Sequence, residues 1–255
     1  MGNSAVGAVE CGAMIVELFD VAGSDDATAI VDSIEVDRPH YTVRPGLVRK
    51  FLPLAIDATT GNVTSGGAYL FDSLGNAQAY LRWTGEEYRV DGLLFHERPF
   101  VANLSCFIGP VVGAHDFDSF ETAQASIRIQ LWQAPMRQAG QIARAAWPAL
   151  KAGAGELGLS SIWLAFEPDT DRIALITVIR RTESVGGDDY DAWNRLSKER
   201  SSGNIFSNNT ALKSVHDACM WIFTIWQPAR NGIQQLGLWP NSPPLPSPAY
   251  HGSAR

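Results

Sequence analysis

The sequence has 255 residues, of which 45% are hydrophobic and 18% charged, and its formal net charge is −7. A chain of this length buries a sizeable core without disulfides or metals. The acidic balance, with no basic run or basic helix face, disfavours nucleic acid and anionic membrane surfaces as partners. Three widely separated cysteines without a CxxC pair argue against a disulfide framework and a structural zinc site. We therefore expect a neutral or mildly charged small molecule as the partner.

The sequence also predicts a cytoplasmic location. Residues 1–9 contain no Lys or Arg, which a secretory leader would carry. The longest apolar runs, such as residues 219–226, fall well short of the ~20 residues that span a bilayer. No membrane partner is expected.

The first half of the chain predicts a β-α-β-β-α-β order. A β-rich run is followed by apolar residues at helical spacing, then by a hairpin, a capped helix and a final β-rich run. The predicted elements are strand 13–21, helix 26–35, strands 46–56 and 66–71, a helix capped by Asp72-Ser73 that reaches 80–83, and strand 100–112. This order defines the ferredoxin-like unit.

The second half repeats the same order, so the fold class is α+β with tandem duplicated ferredoxin-like repeats. The predicted elements are strand 126–133, helix 138–150, strands 159–167 and 172–180, helix 188–199 and strand 219–227. The repeats are assigned to residues 10–118 and 119–237, followed by a Pro- and Ser-rich tail at 238–255. An insertion over residues 199–215 is predicted to be a long loop or lid.

Two segments of the first repeat resemble a known family. Residues 45–51 (PGLVRKF) and 66–81 (GGAYLFDSLGNAQAYL) are similar in order and spacing to the bacterial "putative mono-oxygenase" family of the dimeric α+β barrel superfamily. The resemblance covers roughly residues 13–112. It implies that two ferredoxin-like units stack their sheets as a barrel, here fused in one pseudo-dimeric chain, with a cavity beneath the helices of each unit.

The resemblance also implies a range of chemistry and no single reaction. Members of the superfamily bind quinones, polyketides, aromatic acids or haem, and they include oxygenases, dismutases, dehydratases, isomerases and lyases. Because one fold supports many reactions, the activity has to be argued from the site.

The junction between the first helix and the second strand contains a candidate catalytic cluster. The imidazole of His40 would act as a general base, and Tyr41 would donate a proton. Arg44 or Arg49 would hold an anionic oxygen of the substrate. The alternative interpretation of this segment is a solvated loop.

Two further histidines are weaker candidates. His96 is a candidate catalytic residue, although its neighbour Glu97 should point to the opposite side of an extended chain and so would not orient it. His115 lies in the predicted linker between the repeats, where the absence of a second His at i+2 or i+4 favours a turn over a metal site.

His216 is the last catalytic candidate, because it precedes a ring-rich strand. Trp221 and Trp226 of that strand, with Tyr69 of the first repeat, are the candidate substrate-binding rings. The alternative is that this strand is simply core.

No GxGxxG, P-loop, GxSxG or HExxH motif occurs, so acid–base chemistry without a nucleotide remains. The leading prediction is an enzyme that acts on a small aromatic or polyketide-like metabolite without a cofactor or metal, and the resemblance favours a monooxygenase. A cofactor-independent lyase, dehydratase or isomerase stays open. So do a haem enzyme with His216, His96 or His115 as axial ligand, and a non-catalytic carrier of a hydrophobic ligand. A homodimer is also left open.

Overall fold

The computed structural model describes residues 6–21, 40, 43–56, 60, 62–119, 125–180, 211–229 and 232–237. More than half of these residues belong to antiparallel strands. The strands are β1 (Gly7–Ala8), β2 (Ala13–Val21), β3 (Leu47–Ile56), β4 (Val63–Phe71), β5 (Arg89–Val90), β6 (Leu93–Leu94), β7 (Val101–Asp116), β8 (Ala125–Gln133), β9 (Ser161–Glu167), β10 (Arg172–Arg180), β11 (Lys213–Ala229) and β12 (Gly232–Gly237).

Eight of the strands form a closed antiparallel barrel. Their order around the barrel is β7-β2-β4-β3-β11-β8-β10-β9, and β9 pairs with β7 to complete the ring. Closure leaves none of these strands as a free sheet edge. The α+β class and the predicted barrel are therefore confirmed.

Each half of the chain contributes four neighbouring strands in the same arrangement. In the first half the order is β7-β2-β4-β3, and in the second it is β11-β8-β10-β9, so both read fourth, first, third, second along the sequence. The halves meet where β3 pairs with β11 and β9 with β7. This is the strand arrangement that a tandem duplication would produce, although the duplication itself stays a prediction.

Alternation along the strands separates three cores. One face of each strand fills the barrel interior with apolar side chains from both halves, among them Phe51, Phe107 and Trp163. The opposite faces of the two half-sheets carry the other two apolar clusters, one in each half. The barrel interior is therefore a packed core, and any ligand space has to lie on the helix-covered faces.

Two α-helices cover these faces in the described part of the chain. Helix α1 (Leu74–Arg82) lies on the first half-sheet, and Ser73 caps it by accepting a hydrogen bond from the Asn76 amide at 3.3 Å. Helix α2 (Ala139–Glu156) lies on the second half-sheet and ends six residues later than the sequence predicted. The helices predicted over 26–35 and 188–199, and the tail at 238–255, lie outside the described residues.

Two of the strands that are longer than predicted carry a histidine in the extension. Strand β7 continues to Asp116, so His115 lies in a strand and not in a linker turn. Strand β11 begins at Lys213, so His216 lies within it and not before it. The C-terminal end of β11 pairs with an unpredicted strand, β12. Among the helices that the structure describes, none has the length and apolarity needed to cross a bilayer.

Candidate functional site

A cavity lies in the first half, between the helix-facing side of β2, β3 and β4 and the polypeptide that follows β4. The empty space between its walls is about 430 Å³ when the adjoining open solvent is counted with it. Its walls are mostly rings and aliphatic groups with a few polar groups among them, a composition typical of small-molecule sites. The lining residues are Glu17, Phe19, Leu52, Gly66, Gly67, Tyr69, Tyr80, Thr84, Tyr88, Phe95 and Arg98.

Glu17 is the acidic group of this cavity. It stands in the middle of β2, on the face that otherwise carries Ile15 and Phe19, and only 7% of it is exposed. Burial raises the pKa of the Glu17 carboxyl above its ordinary value, while the nearby Lys50 ammonium and a hydrogen bond from the Tyr69 hydroxyl oppose that rise. A carboxyl whose pKa is raised in an apolar cavity is suited to exchange protons nearer neutral pH.

Lys50 and Tyr69 lie beside Glu17. Lys50 is fully buried, and its Nζ atom is 4.6 Å from the centroid of the Tyr69 ring. The Tyr69 ring lies across Gly67, because a Cβ built on Gly67 would be 2.3 Å from the Tyr69 hydroxyl oxygen. The absence of a side chain at Gly67 is thus what allows the phenol to reach Glu17.

Arg98 adds a second buried cation on the helical side of the cavity. It is 5% exposed, and its guanidinium carbon lies 5.2 Å from the Phe95 ring centroid and 5.8 Å from that of Tyr88. The Thr84 hydroxyl is used within its own helix, because it donates a hydrogen bond to the backbone carbonyls of Tyr80 and Leu81. The polar groups that face the cavity are therefore Glu17, Arg98 and the tyrosine hydroxyls.

The rim of the cavity is a stack of rings that includes one predicted catalytic residue. Helix α1 continues into a π-helix, Trp83–Glu87, and π-helical turns are frequent at functional sites. Trp83 stacks on Tyr88 with 4.3 Å between ring centroids, and His40 lies 4.7 Å from Tyr88. The Arg44 guanidinium covers Trp83 at 3.8 Å, and Arg44 Nε donates to the His40 carbonyl at 3.0 Å.

Arg49 lies on the other side of the sheet from this cavity. It is 3% exposed inside the barrel, where its Nη1 atom is 2.6 Å from Asp116 Oδ2. Asp116 Oδ1 accepts a hydrogen bond from Ser161, whose Oγ in turn accepts one from the Trp163 indole. This network, called here the barrel latch (Arg49, Asp116, Ser161, Trp163), joins strands of both halves. Its geometry suits a structural role better than substrate binding.

The remaining predicted site residues are dispersed. His96 is exposed on a short 3₁₀ turn and does not line the cavity; the neighbouring Glu97 carboxylate accepts hydrogen bonds from Arg89 and the Leu94 amide. His216 lies on β11 in the second half, opposite Leu131 of β8. The Trp221 and Trp226 side chains and all of Tyr41 lie outside the described part of the chain. Of the predicted substrate-binding residues, Tyr69 lines the cavity, and its binding role stays a prediction.

Sequence reasoning missed Glu17, Lys50 and Arg98. One signal was present for Glu17, because a carboxyl at the centre of AMIVELFDV, with apolar residues on both sides, implies a buried acid that needs an explanation. Lys50 in RKFLPLAI gave a similar signal, since it alternates onto the face shared with Leu52 and Leu54. No local pattern could have shown that Arg98 comes to the same cavity.

Among the described residues, the side chains that line the cavity do not suit haem or a metal ion. None of the side chains that line it is a histidine, so an axial ligand of the predicted kind is absent from its walls. Within the described ranges, no three His, Cys, Asp or Glu side chains come together to hold a metal ion.

Comparison with solved structures identifies the fold. A "putative monooxygenase" from Fusobacterium nucleatum subsp. nucleatum superposes with a TM-score of 0.60 at 10% identity, covering 89% of this chain and 98% of that one. A "putative monooxygenase" from Lactobacillus acidophilus gives 0.53 at 10% identity, with 89% and 100% covered. An anthrone oxidase-like protein gives 0.53 at 11% identity, with 84% and 92% covered.

No protein-family model and no curated protein sequence matches the chain. At identities of 10–11% the structural likeness establishes the fold and not the reaction. The chain therefore has the α+β barrel fold of these solved structures, with two four-stranded units in one polypeptide.

Proposed function

We propose that the protein is an enzyme that acts on a small aromatic or polyketide-like metabolite by acid–base chemistry in the first-half cavity. The observation that carries the proposal is Glu17, a buried carboxyl of raised pKa in a wall of rings, with Tyr69 and Lys50 beside it. A purely structural wall would gain nothing from a buried acid, since burying a carboxyl costs free energy that an apolar residue would not.

In the proposed reaction the ionised Glu17 carboxylate accepts a proton from an acidic C–H or O–H group of the substrate. The substrate anion that forms is stabilised by the positive charge of Arg98 in the cavity wall and by that of Lys50 behind the wall. Phe19, Leu52 and Phe95 would enclose the flat part of the substrate and exclude water. His40 at the rim remains the proposed group for exchanging the proton with solvent.

The next step in the proposed monooxygenase reaction is electron transfer from the substrate anion to dioxygen. For an anthrone, one dioxygen molecule is consumed, the CH₂ group becomes a carbonyl, and the second oxygen atom leaves as water. Support for this version comes from the fold shared with two "putative monooxygenases" and with the anthrone oxidase-like protein. We place the enzyme in the cytoplasm, as the sequence predicts.

The proposal is tested with purified protein and anthrone, by following oxygen uptake and the absorbance of the quinone product. Replacing Glu17 with Gln should lower kcat by about 10²- to 10⁴-fold, the usual contribution of a general base. The matched control is Glu10→Gln, which neutralises an exposed carboxyl outside the cavity and should leave the rate unchanged.

Other outcomes separate the alternatives. Product formation from an aromatic substrate without oxygen uptake would replace the monooxygenase by a lyase, dehydratase or isomerase. Binding of 2-naphthol, seen as quenching of tryptophan fluorescence, without turnover of any substrate tried would favour a ligand carrier. Equal rates for Glu17→Gln and the unaltered protein would remove Glu17 from the chemistry.

A further inference from the structure

Three residues on neighbouring strands form a continuous polar row that begins behind the cavity wall and ends in the cavity. Lys50 of β3 pairs directly with Tyr69 of β4, and Gly67, two residues before Tyr69, pairs directly with Glu17 of β2. The ring of Tyr69 leans along its own strand over Gly67, so its hydroxyl reaches the residue opposite Gly67. The row therefore runs from the Lys50 ammonium across the Tyr69 ring to the Glu17 carboxyl.

Lys50 contributes its charge to this row from behind the wall. Its side chain is fully buried and it is not among the residues that line the cavity, so it does not offer its amine to a ligand there. Its Nζ atom stands over the face of the Tyr69 ring at 4.6 Å from the centroid, within the range of a cation–π contact. An ammonium in this place attracts the electrons of the ring and any negative charge at its hydroxyl end.

We propose that Lys50 is a positioning residue that acts through Tyr69: it holds the ring over Gly67 and keeps the Glu17–Tyr69 pair able to carry a negative charge inside an apolar cavity. This inference rests on the proposed function in that it takes Glu17 as the acid–base group. It goes further by assigning the control of that group to a side chain that does not touch the ligand.

The other groups that face Glu17 do not replace Lys50 in this role. Arg98 and the phenols of Tyr80 and Tyr88 approach from the helical side of the cavity. Cys106 approaches from β7, but burial raises the pKa of its thiol to about 12, so it carries no charge at neutral pH. Arg98 stays charged at every accessible pH, and its contacts are with Phe95 and Tyr88 and not with the Tyr69 ring. Lys50 is thus the cation joined to Glu17 through Tyr69.

The experiment is an infrared pH titration of the protonated carboxyl band of Glu17, identified by its loss in Glu17→Gln. In Lys50→Met the midpoint should rise by at least about one pH unit, the effect of removing an opposite charge nearby. Lys50→Arg keeps the charge and should return the midpoint most of the way. The control Lys213→Met removes an exposed ammonium on β11 and should not move it.

Several results would overturn the inference. A midpoint in Lys50→Met equal to that of the unaltered protein would do so, as would a Glu17 band that never appears across the titration, because Glu17 would then stay ionised without help. If circular dichroism shows that Lys50→Met is unfolded, Lys50→Gln is titrated in its place under the same criterion.

The readout does not depend on turnover. A shifted midpoint together with no reaction on anthrone and no binding of 2-naphthol would remove the proposed function and leave the positioning role. An unshifted midpoint with normal turnover would remove the positioning role and leave the proposed function.

Discussion

Replacing Asp116 with Asn tests whether the barrel latch stabilises the fold. Asp116 is 1% exposed and Arg49 is 3% exposed, and their closest atoms are 2.6 Å apart. The substitution keeps the shape of the side chain but leaves the buried guanidinium facing a neutral amide. Because breaking one side of a buried ion pair leaves a charge that water cannot solvate, it costs about 3–5 kcal/mol.

This free-energy cost is large relative to the total stability of a domain. Domains are stable by about 5–15 kcal/mol, so Asp116→Asn should remove a substantial fraction of the free energy of unfolding. At about 2–4 °C per kcal/mol for a chain of this size, the Tm should fall by about 6–20 °C. Urea unfolding followed by tryptophan fluorescence measures the free energy, and calorimetry measures the Tm.

The matched control is Glu97→Gln, which removes the same charge from the Arg89–Glu97 pair. Those side chains are 46% and 41% exposed, so water solvates the pair and its loss should change the free energy of unfolding far less than the loss of Asp116. Added salt should shrink the Glu97 effect and leave the Asp116 effect nearly unchanged.

A double variant, Arg49→Met with Asp116→Leu, should cost less than the sum of the two single substitutions, because no buried charge is left without its partner. If Asp116→Asn costs no more than Glu97→Gln, the latch does not stabilise the barrel and the reasoning fails.

Three further predictions follow from single residues. Gly67→Ala should lower the free energy of unfolding by about 1–3 kcal/mol, because its Cβ would meet the Tyr69 ring at 2.3 Å. Gly75→Ala, whose Cβ would have no atom within 4 Å, should leave the stability unchanged or raise it. Thermal unfolding compares the two variants. Burial lowers the pKa of His216 from 6.5, so the neutral side chain stabilises the fold above that pH and this stabilisation is lost as pH falls. In urea titrations, His216→Leu should lose less of its free energy of unfolding between neutral and acidic pH than the unaltered protein. An equal dependence of stability on pH in both proteins would contradict this prediction. Burial raises the pKa of Glu17 above 4.5, so the native state loses stability as pH rises through that raised value. The stability of Glu17→Gln relative to the unaltered protein should therefore increase as pH rises above 4.5, which urea titrations across pH measure.

Strand β2 shows how much of the fold local sequence patterns predict. Strand β2 occupies residues 13–21 and β10 residues 172–180, the bounds that the sequence predicts. The cap at Ser73 and the helix after it are also where the sequence places them. Apolar runs, turn residues and caps act over a few neighbouring residues, so they can be read from the chain alone.

The missed ends of β7 and β11 show where local pattern stops. Residues 113–116 (GAHD) and 213–217 (KSVHD) contain few residues that favour strands. They become strands because β9 and β8 pair with them, Asp116 opposite Ser161 and Lys213 opposite Gln133. Pairing with neighbouring strands overrides the weak β propensity of these segments. As a result, His115 and His216 lie in the barrel wall.

By itself the sequence determined the order of the eight barrel strands and the positions of the two described helices, since these depend on periodicity along short segments. Only the tertiary structure decided that Arg49 meets Asp116, 67 residues away, and that Glu17, Lys50 and Tyr69 share one cavity. Adjacent residues such as Arg49 and Lys50 point to opposite faces of a strand, so which one reaches the cavity depends on register and on barrel closure. Those are set by the whole chain.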